Sequence, residues 1–131
     1  MSRNTTLILM AIFLLTIEIV GCLENNSSIL TVEIESYYSY DALGPIYING
    51  VEQGWVYATS FKTRTYNFSK DELPDSDGKY TVMITLISGG VNQSAVAYNV
   101  TTYVKFRVYG IPRETEFGHT EDHYVEVIEV R

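Results

Sequence analysis

The chain of 131 residues has one cysteine, one tryptophan and three prolines, and nine Lys and Arg against sixteen Asp and Glu. Each shortage excludes something. With Cys22 alone, no disulfide can form within the chain, so its core stands without covalent staples. The formal net charge is −7, and no basic run interrupts it. A nucleic-acid binder carries a cationic patch, and electrostatic attachment to anionic lipid needs a polybasic stretch; neither is present. The acidity keeps an exposed protein soluble. There is no Gly-x-Ser-x-Gly, and Gly89-Gly90 lacks the lysine or helix that a phosphate-cradling loop uses. No helical period appears beyond the first two dozen residues, and no repeat or coiled coil.

What is present starts at the N-terminus. Arg3 precedes an apolar run from Leu7 to Ile17, and Ile19-Val20-Gly21-Cys22 follows Glu18. A cationic start, a short apolar stretch and a small residue at the cut describe a secretory signal peptide. The run falls short of the roughly 20 apolar residues of a membrane span. Residues 1–21 are therefore read as signal peptide, 22–28 as a polar tether, and 29–131 as one domain.

The tetrad Ile19-Val20-Gly21-Cys22 resembles the lipobox of prokaryotic lipoproteins. That resemblance implies a lipid on the Cys22 thiol and a protein held on the outer face of the cytoplasmic membrane. Of seven asparagines, Asn4, Asn25, Asn26, Asn67, Asn92 and Asn99 sit in Asn-x-Ser/Thr, the glycosylation acceptor. Asn4 lies in the leader; the other five are candidate glycan sites. A lipobox together with dense sequons and no disulfides looks like an archaeal cell-surface lipoprotein.

The body alternates with the period of strands. Leu30, Val32 and Ile34 share one parity within 29–40. Gly44-Pro45 reads as a turn, 46–48 as a short strand, and Asn49-Gly50 as a hairpin turn. The strand over 51–61 puts Trp55, Tyr57, Thr59 and Phe61 on one side, with Gly54 marking a bulge. Further strands are expected at 64–68, 80–87, 95–109 and 123–131, with loops at 70–78, 88–94 and 110–120. In 95–109 the parity of Val96, Tyr98, Val100, Val104, Phe106 and Val108 is expected to face the core. Asn99 would then point outward beside Thr101 and Lys105. Seven or so short strands with frequent turns predict an all-β, antiparallel β-sandwich.

The stretch Leu73-Pro74-Asp75-Ser76-Asp77-Gly78-Lys79-Tyr80-Thr81-Val82-Met83-Ile84 resembles the turn and strand of fibronectin type III and bacterial Ig-like domains. That resemblance implies an Ig-like sandwich with Tyr80 as its structural corner, at the start of an F-like strand. A transthyretin-like sandwich is the alternative. Neither fold implies a function.

Chemistry-bearing clusters are few. Asp71, Glu72, Asp75 and Asp77 crowd one turn, but Leu73 breaks the EF-hand pattern, and a solvated turn suffices. His119 and His123 are four apart in a stretch read as extended, roughly 13 Å from end to end and too far to share a metal. No nucleophile, base or carboxylate pair is set for catalysis. The expectation is a non-enzymatic, lipid-anchored, N-glycosylated surface domain for protein interaction or envelope structure, with no cofactor or metal. Its expected partner patch is the sequon-free surface of Trp55, Tyr57, Glu114, Glu116, Glu121 and Asp122, suited to a basic protein surface. The alternative is a small-ligand or metal-binding lipoprotein associated with a transporter.

Overall fold

A computed structural model describes residues 28–74 and 77–131. Alternation makes the strands. β1 (Ile29–Ser36) buries Leu30, Val32, Ile34 and Ser36 and turns Glu33 and Glu35 outward. β2 (Ala42–Ile48) and β3 (Val51–Ala58) form a hairpin on Asn49-Gly50, both at positive φ (49° and 80°), as a two-residue primed turn requires. β4 (Thr63–Ser69) leads into one 3₁₀ turn at Lys70–Glu72. β5 (Tyr80–Ser88), β6 (Val91–Val100), β7 (Tyr103–Thr115) and β8 (Gly118–Val130) complete the chain. Among the described residues no helix is long and apolar enough to cross a membrane.

The strands form two four-stranded sheets, β4-β1-β7-β8 and β3-β2-β5-β6. Between them lies a core that includes Leu30, Ile34, Ile46, Ile48, Val82, Ile84, Leu86, Val104 and Phe106. The fold is an all-β sandwich. The order β6-β5-β2-β3 matches the G-F-C-C′ sheet of variable-type Ig domains, consistent with an Ig-like architecture. Tyr80 opens β5 and is buried, with the Lys70 ammonium 5.9 Å from its ring centre. Its hydroxyl makes no hydrogen bond to a described residue; Asp75 and Ser76, within the corner turn, lie outside the described residues.

Four local expectations are corrected. Gly44-Pro45 is no turn but the middle of β2. A Cβ on Gly44 would stand 1.7 Å from the Thr85 carbonyl oxygen, so glycine there serves close strand approach. Residues 88–94 are no loop: Gly89-Gly90 alone makes the turn, with φ of 58° and 76°. Residues 110–120 do not break the pattern; they extend β7 and β8 into a hairpin arm.

Residues 95–109 are not one strand. Thr101 and Thr102 separate β6 from β7, which lie in different sheets. Tyr80 pairs with Val100 but Val82 with Ala97, so β6 bulges, with Asn99 at φ 56°. The bulge flips the parity. Ala97 and Val100 are buried, Tyr98 is exposed, and Lys105 belongs to the other sheet from Asn99. Gly54 also stands at a bulge, as its φ of 110° and the register shift opposite Pro45–Tyr47 establish.

One pairing polarises the molecule. All neighbouring strands are antiparallel except β1 and β7, which run side by side in the same direction. At the end where β1 begins, the Ser28 carbonyl accepts from Lys70 N (2.9 Å), and the Arg131 carbonyl accepts from Thr101 N (2.8 Å). At the opposite end, Ser36 is level with Val108, yet β7 continues to Thr115. The surplus is roughly 20 Å of extended backbone. The β7–β8 arm therefore projects from the end of the sandwich remote from Ser28.

Candidate functional site: the arm and the cleft at its root

The arm is a plain ladder, Ile111 opposite Asp122 through Thr115 opposite Gly118. At its tip Thr115 Oγ1 donates to the Gly118 carbonyl (3.0 Å) and accepts from Phe117 N (3.3 Å), while Gly118 takes φ 128°. This turn holds Phe117 out, 97% exposed, between Glu116 and Gly118. Glu114, Glu116 and His119 are exposed beside it.

The root of the arm is built. His123 lies opposite Gly110 and is buried at 1% exposure. Its Nε2 is 2.8 Å from the Leu86 carbonyl oxygen. A carbonyl only accepts, so Nε2 carries the proton. The ring lies 5.5 Å from that of Tyr38, whose hydroxyl is 2.9 Å from Ser88 Oγ. Gly110 makes room: a Cβ there would stand 2.6 Å from Glu121 Oε2 and 3.1 Å from Tyr38 Cδ1. Glu121 Oε2 accepts from Ser39 N at 3.0 Å, and Arg113 Nε donates to Asp122 Oδ1 at 3.0 Å. Tyr40 is exposed and packs edge-on to Tyr38 at 5.5 Å. These groups surround an open cleft of about 400 Å³. A shallower hollow of about 240 Å³, bordered by Tyr40, Pro112 and His119, adjoins it.

The structure divides the patch expected from the sequence. Glu114 and Glu116 lie on the arm, and Glu121 and Asp122 at its root. Trp55 and Tyr57 are exposed but belong to β3, the edge of the other sheet. β8 packs over β6, so β3 and β8 mark opposite sides of the sandwich, and the six residues do not form one surface. Sequence reasoning missed Arg113 and Phe117. Phe117-Gly118 could have been read as a turn bearing an aromatic tip.

His119 is exposed on the arm and His123 is buried on Leu86, so the two do not act as a pair. Among the described residues no three His, Cys, Asp or Glu side chains are grouped to hold a metal ion. Asp77 is exposed, and Asp75 lies outside the described residues. Asn67 is exposed on β4 and accepts from Thr31 Oγ1 (2.9 Å); Asn92 and Asn99 are exposed on β6. Cys22, Asn25 and Asn26 lie outside the described residues.

The two outer sheet faces differ in kind. On β4-β1-β7-β8, Lys105 lies 3.6 Å from Glu33 and 3.5 Å from Glu35, and Arg107 3.2 Å from Glu35. The hydrogen bond from Tyr37 Oη (2.6 Å), then the cations, hold the Glu35 carboxyl below the usual carboxylate range. Burial, then the hydrogen bond to Glu33 (2.7 Å), pushes the Tyr103 phenol well above its ordinary range. On the other sheet, β2, β5 and β6 contain no charged residue at all. Leu43, Trp55, Tyr57 and Tyr98 are exposed on that sheet.

No family model matches this chain, and neither does any curated protein or solved structure.

Proposed function

We propose that this protein is a non-enzymatic, N-glycosylated lipoprotein, held by Cys22 on the outer face of the cytoplasmic membrane, that engages a protein partner through the tip of its arm. The observation that carries this reading is the parallel pairing of β1 and β7. A chain tethered ahead of Ser28 has its membrane-proximal end there, and the arm at the other end faces outward. An aromatic anchor at the centre with acidic groups around it suits a partner whose apolar pocket has a basic rim. Phe117 supplies the anchor, and Glu114 and Glu116 the charges. The lipobox and the sequons support the location; an archaeal source is supported by the same combination.

The test is photocrosslinking in native membranes, with a photoreactive residue in place of Phe117. A discrete crosslinked protein is expected, weakened when Glu114→Lys and Glu116→Lys are added. Absence of any crosslinked species from position 117, with the chain folded and membrane-bound, would remove the arm as the docking site. The competing class, a small-ligand lipoprotein serving a transporter, is favoured by the cleft at the arm's root. Transporter genes beside this one would support it, and surface-layer genes would oppose it.

A further inference from the structure

The geometry points to the cleft between the arm and the Gly89-Gly90 turn as a binding site for an uncharged carbohydrate ring. Its volume of about 400 Å³ lies at the small end of ligand pockets, which run from about 300 to 1,000 Å³. Its polar groups are fixed before any ligand arrives. Tyr38 is locked by Ser88, Glu121 by the Ser39 amide, Asp122 by Arg113, and His123 by Leu86. Preorganised groups cost a ligand little ordering.

Charge selects the class of ligand. Arg113 counters Asp122, and a cation drawn to Glu121, which has only the Ser39 amide as partner, would meet that guanidinium nearby. An anion would meet Glu121 and Asp122. A neutral molecule is repelled by neither sign and can use the donors and the acceptors together. Each hydroxyl of a sugar donates once and accepts readily. The cleft offers both roles side by side. Arg113 uses one of its five N–H groups on Asp122, and the second oxygens of Asp122 and Glu121 have no hydrogen-bond partner among the described residues. Tyr40, 51% exposed at the cleft wall, supplies the flat apolar surface on which the C–H face of a sugar ring can lie. The proposal stands apart from the arm's protein partner, since Phe117 does not line the cleft.

The experiment uses the full chain in detergent, produced without glycosylation. Asn92 follows the cleft-lining Val91, and omitting its glycan excludes competition from a covalently attached sugar. The probes are the methyl glycosides of glucose, galactose, mannose and N-acetylglucosamine, with glucuronate and arginine methyl ester as charged controls. Saturation-transfer NMR reports binding. At least one neutral glycoside is expected to bind at millimolar concentration, and neither charged control to do so. Tyr40→Ala and Asp122→Asn, both at positions that keep the core intact, should each weaken it tenfold or more. Phe117→Ala should leave it unchanged. Failure of all four glycosides would overturn the proposal. So would tighter binding of either charged control, or glycoside binding that survives both cleft substitutions.

Discussion

His123 in β8 and Leu86 in β5 join the two sheets through one hydrogen bond, Nε2–H to carbonyl at 2.8 Å. It is a cross-sheet tie at the root of the arm, made by a polar side chain in a place the hydrophobic pattern would fill with a valine. A polar group buried this deeply is kept by its partner.

His123→Ala should therefore cost more than a surface change. The carbonyl loses its ring partner and a cavity opens beside Tyr38, together about 2–4 kcal/mol. Urea unfolding measures it. A loss below about 0.5 kcal/mol would mean the tie is dispensable.

Gly44 is expected to tolerate no side chain. Its Cβ would lie 1.7 Å from the Thr85 carbonyl, which is backbone and cannot swing away. Gly44→Ala should cost about 3 kcal/mol or more, or prevent folding. Gly50→Ala is the contrast: nothing stands within 4 Å of its Cβ, and only φ of 80° is strained. Its cost should be about 1–2 kcal/mol. Thermal melts of the two variants should separate clearly.

Acid should weaken the fold through Glu35. Its carboxyl is held below its ordinary value in the folded chain, first by Tyr37 and then by Arg107 and Lys105. The unfolded chain binds the proton more readily. The stabilisation is thus complete above the ordinary carboxylate value and is lost as pH falls through the lowered one. Tyr37→Phe removes the largest cause and should flatten this part of the acid limb in urea midpoints taken across pH. On the alkaline side Tyr103 contributes alongside Tyr37, its phenol held protonated. Its contribution is complete below the ordinary tyrosine value near 10 and declines as pH rises beyond it.

Phe117→Ala should leave stability within about 0.5 kcal/mol, because a side chain 97% exposed loses no burial. A measured loss above that would place Phe117 in a structural role and take it out of the proposed partner contact.

Cys22→Ser should release the protein from membranes or stop its processing. Two lipid chains give stable anchoring where one gives marginal binding. Membrane association that persists with a mature N-terminus elsewhere would dismiss the anchor.

Local chemistry was legible in the sequence by itself. Alternation within 29–40 and 80–87 placed Leu30, Val32, Val82 and Ile84 in the core, although the first strand ends at Ser36, and Asn49-Gly50 made its hairpin, because a strand's parity and a two-residue turn depend on neighbours in the chain. The sandwich followed from the number of such segments. What tertiary structure alone decided was everything that depends on which strands meet. The apparent strand over 95–109 was two strands in two sheets, and a bulge at Asn99 reversed the parity of its first half. Gly44 resembled a turn residue because its reason lies on β5, far along the chain. Trp55 and Glu121 seemed able to share a surface until the sheet order put them on opposite sides. The parallel alignment of β1 with β7 is the least local strand pairing among the described residues. No periodicity encodes it, since register and direction between distant strands are set by the core they jointly bury, and it alone sends the arm away from the N-terminal end.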